Sequence, residues 1–138
     1  MRYVWDSRLG LAAQALAIFV CLDVGCRWFG FPSVYRLVRS RSRGFGAALS
    51  APAPDVVDRT LDAVRTATRY YWRRRLDCLP RAMTVYLLLK RRGIAATLHI
   101  GVKRYPFAAH AWVVHDGHVL GHPANSWRHE PYVPIISM

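Results

Sequence analysis

The sequence predicts an α+β fold in which helices come first and a small antiparallel sheet follows. Between residues 9 and 92, apolar side chains recur every three to four positions, which is the helical period. From Ile94 onward the period changes to two, as in "GIAATLHIGV", which is typical of a strand. The pair Asp116–Gly117 then separates two short β-type segments and indicates a tight hairpin. Helices followed by hairpin-connected strands indicate the α+β class.

The composition limits both the size and the partners of the protein. Its 138 residues are 53% hydrophobic, enough for one domain with a core and too few for two. Lys and Arg number 20 against 8 Asp and Glu, and the net charge of +12 predicts an acidic partner such as a peptide, a nucleic acid or an anionic membrane. The cysteines Cys21, Cys26 and Cys78 are odd in number and sparse, so we expect a reducing, cytoplasmic location.

Two helices are predicted near the N-terminus, over residues 9–24 and 31–43. The first contains an apolar run of 14 residues, shorter than the about 20 residues that a membrane span needs. We therefore expect a core or docking helix, with peripheral membrane contact as the alternative. Residues 44–55 are rich in Gly, Ser and Pro and predict a linker. The predicted organisation is a helical extension, residues 1–45, and a chemical core, residues 46–138.

Two further helices and three strands are predicted within that core. One helix covers residues 56–74 with Asp55 as its N-cap. The next begins at Asp77 or Cys78, tolerates Pro80 in its first turn and stops at Gly93. Strands are predicted over 94–102, 107–115 and 118–122.

Cys78 and His110 are the candidates for chemistry. A cysteine at a helix N-terminus faces backbone N–H groups and the positive end of the helix dipole, which stabilise a thiolate. His110 lies between alanines on the second strand and shares a strand face with Trp112. Either residue alone is more simply interpreted as core packing. Together they favour a thiolate nucleophile with a histidine that protonates the leaving amine, and an oxyanion held by the backbone N–H of Cys78.

Two quoted segments support a resemblance to a known family. "CLPRAMTVYLLLKRRGI" followed by "LHIGVKRYPFAAHAWVVHDGHVLG" resembles the transglutaminase-like cysteine peptidases of lasso-peptide biosynthesis. These enzymes remove the leader from a ribosomally synthesised precursor. The resemblance implies a papain/transglutaminase-like core, in which the cysteine-bearing helix packs on a small antiparallel sheet. The matching residues are Cys78, Arg81, Gly93, Ile94, His110, Ala111, Trp112, Val113, Asp116 and Gly117.

The resemblance also implies site residues. Cys78 is then the nucleophile and His110 the general base and acid. The family has an aspartate as the third catalytic residue, but His122 stands at that position here, and Asn125 is the alternative. A strict two-residue turn leaves His122 on the wrong strand face, so a bulge or a longer loop is required. For substrate binding, the candidates are Trp112, Arg81 and Trp72.

The implied partners are a precursor peptide, a separate leader-recognition protein and an ATP-dependent lasso cyclase. We expect no nucleic-acid partner and no cofactor. His118 and His122 share a strand face, but no third metal ligand has suitable spacing. Two other functions fit the same fold. One is an acyl or amide transferase, and the other is a catalytically weak peptide-binding module.

Overall fold

The computed structural model describes residues 7–45, 54–69, 71, 78–104, 107–121 and 132–138. Its helices are α1 (Arg8–Trp28), α2 (Phe31–Gly44), α3 (Pro54–Arg69) and α4 (Cys78–Arg91). Its strands are β1 (Thr97–Lys103), β2 (Ala108–His115), β3 (His118–Val119) and β4 (Val133–Ser137). The predicted α+β class, with helices before an antiparallel sheet, is confirmed.

The sheet has the strand order β3-β2-β1-β4, and each neighbouring pair is antiparallel. The hairpin between β2 and β3 turns at the predicted pair, where Asp116 and Gly117 have φ values of 50° and 77°. Positive φ at both central positions is the requirement of a type I′ turn, which explains why Asp-Gly occurs there. His115 pairs with His118 across the turn. The predicted hairpin is therefore confirmed.

Strand β4 is absent from the predicted elements. It pairs with β1, and its Pro134 lies opposite Gly101 beside an irregularity in the register. A proline cannot donate to a strand ladder, so it weakens the sequence signal for a strand and is tolerated mainly at sheet edges. β4 is such an edge strand. Its partner is far away in the sequence, which local periodicity cannot detect.

Helix α1 is longer than predicted at both ends. Ser7 is its N-cap, with the side-chain oxygen accepting from the Gly10 N–H at 3.1 Å. Helix α1 has 21 residues, and its 18-residue apolar window has a mean hydropathy of 2.0, so it has the length and composition of a membrane span, which its 14-residue apolar run alone lacks. Inside the molecule, 28% of its 18-residue apolar window is buried. Core helices of globular proteins and signal sequences share these properties.

Helix α3 begins at Pro54, so Asp55 lies in its first turn and is not the N-cap. There the carboxylate pairs with Arg59, one turn later, at 2.7 Å. A negative charge in the first turn also interacts favourably with the helix dipole. The helix was predicted to continue to Arg74, but α3 ends at Arg69 and Tyr71 is not helical, so the predicted end is too late.

Helix α4 is the centre of the core. Met83, Leu88 and Leu89 are fully buried, at 0% exposure. They belong to one hydrophobic cluster with Ala111 and Val113 of β2 and with residues of α1, α2 and α3. Because helices before residue 45 share this cluster, they help to hold α4 in place. The division of the chain into residues 1–45 and 46–138 stays a prediction.

The C-terminus of α4 is closed by a glycine, as predicted. Gly93 has a φ of 73°, which favours glycine because it has no Cβ. The Gly93 N–H donates to the Lys90 carbonyl and the Ile94 N–H donates to the Leu89 carbonyl, both at 3.0 Å. This pair of bonds is the Schellman motif. It directs the chain from α4 into the segment that leads to β1.

Candidate active site

Cys78 is the first residue of α4 and is half-buried. Its position at the helix N-terminus, predicted from the sequence, is confirmed. The first turn is held by Pro80, which is buried and whose carbonyl accepts from the Thr84 hydroxyl at 2.7 Å. Because proline has no N–H, the first-turn donors are the amides of Cys78, Leu79 and Arg81. These groups give the thiol an environment of positive partial charge.

His110 lies on β2 opposite Gly101 of β1. Since side chains alternate along a strand, His110 shares a face of the sheet with Trp112, whereas Ala111 and Val113 point to the core beneath α4. The imidazole and the indole of Trp112 are nearly parallel, with ring centroids 6.0 Å apart and planes at 20°. The Tyr132 ring lies on the same imidazole at 5.4 Å. Two aromatic rings therefore orient His110.

A cleft of about 350 Å³ brings the candidates together. Cys78 and Arg81 line it from α4, and His110 and Trp112 line it from β2. Trp72, the remaining residue predicted to bind substrate, lies outside the described residues. The other walls are largely apolar and come from α3, α4, β2 and the end of β3: Leu61, Val64, Arg65, Thr68, Arg69, Ala82, Val85, Ala111, Val113, Leu120 and Gly121.

Cys78 lies on a helix and His110 on a strand, and the two are brought together because both line the same cleft. Alternation along β2 groups His110 with Trp112 and sets Ala111 and Val113, which join the core cluster with α4, on the other face of the strand. The cleft is lined by four consecutive residues of β2, from His110 to Val113, so it reaches both faces of the strand.

The predicted third catalytic residue, His122, and its alternative, Asn125, lie outside the described residues, so both stay predictions. The chain that leads to them is described. The Leu120 N–H donates to the Val113 carbonyl at 2.8 Å, and Gly121 follows with a φ of 79°. This left-handed residue is the kind of irregularity needed to redirect His122 away from a regular strand register. Gly121 itself lines the cleft.

Trp112 lies between two histidines. The His99 ring also stacks on it, with centroids 5.6 Å apart and planes at 24°. Burial lowers the pKa of His99, so its imidazole is neutral at neutral pH, with Nδ1 2.8 Å from the Ser137 hydroxyl. Trp112 is only 5% exposed, so most of its surface supports His110 and the sheet. Its predicted contact with substrate stays a prediction.

Gly101 makes this aromatic stack fit on the sheet. A Cβ at this position would lie 2.6 Å from Cη2 of Trp112 and 2.7 Å from the Val133 carbonyl oxygen. The carbonyl belongs to the backbone of the neighbouring strand region and cannot move aside by a rotamer change. Sequence reasoning did not single out Gly101, because the requirement arises only when three strands are assembled.

We predict that Gly101→Ala lowers the free energy of unfolding by about 1–3 kcal/mol, since the added methyl overpacks the strand against Trp112 and Val133. Gly44→Ala is the matched control, because a Cβ there meets no described atom within 4 Å. Urea denaturation measures both variants. Equal stability of the two variants would show that the contact at Gly101 is unimportant.

A buried carboxylate connects the approach to Cys78 with α1. Asp23 is 4% exposed and accepts a 2.6 Å hydrogen bond from the Tyr71 hydroxyl. Arg27 lies 3.4 Å from the same carboxylate. Tyr71 precedes residues 72–77, which lead into α4, so this bond ties that end of the segment to α1. Charge pattern alone did not identify the pair, because its partners are 48 residues apart.

The same carboxylate acts on Cys26, another cysteine of α1. Burial, with a further contribution from Asp23, raises the pKa of the Cys26 thiol. Cys26 therefore remains protonated at neutral pH, which makes it a poor nucleophile. It also packs against the core and is not among the residues that line the cleft.

We predict that Tyr71→Phe destabilises the protein by about 1–3 kcal/mol, because a buried carboxylate loses a hydrogen-bond donor. Tyr35→Phe removes a hydroxyl from a tyrosine whose ring rests on Phe31 and serves as the control. Thermal and urea unfolding provide the comparison. If the two substitutions change the free energy of unfolding equally, the Asp23–Tyr71 hydrogen bond does not stabilise the fold.

The described histidines do not form a metal centre. Within the parts of the chain that the structure describes, no three His, Cys, Asp or Glu side chains are grouped so that they could hold a metal ion. His115 donates from Nδ1 to the Ala95 carbonyl at 2.6 Å, since a carbonyl oxygen can only accept. Because Nδ1 of His115 makes this structural hydrogen bond, that ring nitrogen is not available to a metal ion.

A cysteine at the N-terminus of a helix packed on an antiparallel sheet, with a histidine strand beside it, defines an α+β protein of the papain and transglutaminase type. The family model of the transglutaminase-like superfamily matches residues 18–137, and the chain belongs to this superfamily. Proteins with this fold include cysteine proteases and transferases. No curated protein and no solved structure gives a significant match. The family match begins within α1, so it includes most of the N-terminal helical region.

Proposed function

We propose that the protein is a cysteine endopeptidase that removes the leader peptide from a lasso-peptide precursor. The observation that carries the proposal is the cleft that contains both Cys78, at a helix N-terminus, and His110. Membership of a superfamily that includes cysteine proteases supports the general class. The resemblance of the two quoted motifs supports the particular substrate.

In the proposed reaction, the Cys78 thiolate attacks the carbonyl carbon at the leader–core junction. The oxyanion accepts from the backbone N–H of Cys78 at the start of α4. His110, protonated, donates its proton to the departing amine as the C–N bond breaks, and the leader remains as a thioester. His110 then takes a proton from water, which hydrolyses the thioester and restores Cys78.

The third residue orients His110 in this proposal. His122 would accept a hydrogen bond from His110 as a neutral imidazole, and Asn125 would use its amide oxygen. Comparing His122→Ala with Asn125→Ala by kcat/KM assigns the role. The substitution with the larger loss identifies the partner, and equal small losses would exclude both.

The proposed partners are a separate leader-recognition protein and an ATP-dependent macrocyclase that receives the new N-terminus. Their involvement follows from the resemblance, and the proposed cytoplasmic location follows from the odd number and low density of cysteines. The net charge of +12 supports an acidic leader as substrate.

The test is to incubate the protein with a precursor and its recognition protein and to read the product masses. Free leader and free core, with one added water between them, are expected. A condensed product in which the leader is joined to an added amine would indicate a transferase. An unchanged precursor that binds the protein would indicate a binding module, and either result would overturn the proposal.

A further inference from the structure

A second cleft, of about 620 Å³, lies between α1 and α3. Its floor includes Leu11 and Ala63, which are buried core residues. Its rim is formed by arginines from both helices. The residues that line it are Arg8, Leu9, Leu11, Ala12, Arg59, Asp62, Ala63, Arg65, Thr66 and Arg69. We call this cleft the α1–α3 groove.

The α1–α3 groove adjoins the cleft that contains Cys78. Arg65 and Arg69 line both of them. These two residues are one turn apart on α3, so their side chains form a single row along the helix. The row separates the candidate active site on one side of α3 from the groove on the other. A ligand that extends out of the first cleft across this row enters the second.

The groove is strongly basic. Four arginines face one carboxylate, Asp62, in its lining. Asp62 lies 3.5 Å from Arg65, and Asp55, outside the lining, lies 2.7 Å from Arg59. In both pairs the side chains are more than 60% exposed, and such ion pairs contribute little to stability. An acidic ligand can therefore replace the aspartates as the partner of these arginines at a small cost in free energy.

We infer that the α1–α3 groove binds an acidic segment of the peptide substrate. This inference rests on the proposed function and adds to it the chemistry by which the leader is held. The charge of the groove favours carboxylates, and the two arginines that it shares with the Cys78 cleft favour a ligand long enough to reach both. The described residues that line it include no aromatic ring, so it offers no stacking platform for nucleic-acid bases.

The dimensions fit a short extended peptide. Arg59 and Arg69 are ten residues apart on one helix, which corresponds to about 15 Å along its axis. An extended chain covers this distance with about four to five residues. Because the arginines are carried by a helix, their spacing is fixed before the ligand binds. Acidic side chains repeated within such a segment would meet successive arginines.

Direct binding to Cys78→Ala tests the inference without any turnover. The probe is a fluorescein-labelled synthetic peptide rich in glutamate, and its glutamine counterpart is the ligand control. Fluorescence anisotropy is expected to show binding of the glutamate peptide that weakens as ionic strength rises from about 0.05 to about 0.5 M, because salt screens exposed charges. Equal affinity for both peptides would overturn the inference.

Location is tested by charge removal within the groove. Arg8→Gln with Arg59→Gln, added to Cys78→Ala, is expected to weaken binding about three- to tenfold, since two exposed charge contacts are lost. Arg39→Gln with Arg41→Gln removes the same charge from exposed positions on α2 and is expected to change binding less than about twofold. Similar losses of affinity in both double variants would show that binding depends only on net charge. That result would overturn the assignment of binding to the α1–α3 groove.

A photo-cross-linking peptide adds a second readout. With a benzophenone in the glutamate peptide, the cross-linked fragments are expected to contain residues of α1 or α3. Cross-links confined to α2 or to the sheet would contradict the inference. Because neither experiment depends on cleavage, a failure of the proposed peptidase reaction and a failure of the groove give different results.

Discussion

Replacement of the Cys78 thiol is expected to abolish precursor cleavage. Cys78→Ala should reduce kcat/KM by about 10⁴- to 10⁶-fold, because no other side chain can form the thioester and only binding and the oxyanion donor remain. Cys78 is half-buried at the start of α4, where alanine is well tolerated in a helix. The variant should therefore remain folded, which circular dichroism checks.

Cys21→Ala is the matched control for this loss. It removes the same thiol from an exposed position on α1 that does not line the cleft. Cleavage by Cys21→Ala should remain within about twofold of the unmodified protein, as for surface substitutions in general. If the two cysteine variants cleave equally well, Cys78 is not the nucleophile.

The second large effect is expected at His110. Removal of a general acid and base costs about 10²- to 10⁴-fold in rate, so His110→Ala should lower kcat by this factor. His110→Gln keeps a planar polar group beside Trp112 and Tyr132 and separates lost proton transfer from lost packing. Both variants should show the kinetic loss, whereas only His110→Ala should also lose stability.

His118→Ala provides the control for His110. His118 is exposed on β3, pairs with His115 across the hairpin and does not line the cleft. Its replacement should leave the rate of cleavage nearly unchanged. If His110→Gln cleaves the precursor as fast as His118→Ala, His110 is not the general acid and base. This conclusion holds whatever the effect of either substitution on the free energy of unfolding.

The elements that the sequence predicts well are those with strong local signals. Helix α4 combines an apolar period with a left-handed glycine at its end, and the Asp116–Gly117 turn requires the positive φ values that it adopts. Both signals lie within a few residues of the feature that they specify. Local backbone chemistry was therefore sufficient to place Cys78 at a helix N-terminus and His110 on a strand.

Features that depend on distant contacts were not predictable in this way. β4 carries a proline and is defined by its pairing with β1, and the Asp23–Tyr71 hydrogen bond joins residues 48 positions apart. The need for glycine at position 101 arises from Trp112 and Val133 together. The alternation of β2 was visible in the sequence, but the face that α4 covers was not. Hence the orientation of His110 could not be derived.

In the candidate site, too, the residues carried by local motifs were predicted and those that depend on packing were not. Cys78, Arg81, His110 and Trp112 were predicted from motifs and line one cleft, but their roles stay predictions. The contribution of α3 to that cleft, through Arg65 and Arg69, was not predicted. A helix contributes to a site through its surface row of side chains, and which row faces the site depends on packing against α1 and α4.

Trapping of the acyl intermediate tests the central claim most directly, that Cys78 forms a thioester with the leader. Hydroxylamine attacks the carbonyl carbon of a thioester in place of water, so the C–S bond breaks, the thiol is restored and the acyl group leaves as a hydroxamate. In the presence of precursor, recognition protein and excess hydroxylamine, mass spectrometry should find leader hydroxamate with the unmodified protein and no leader product with Cys78→Ala. Release of the leader only as the free acid, at a rate that Cys78→Ala also supports, would contradict a covalent mechanism at Cys78.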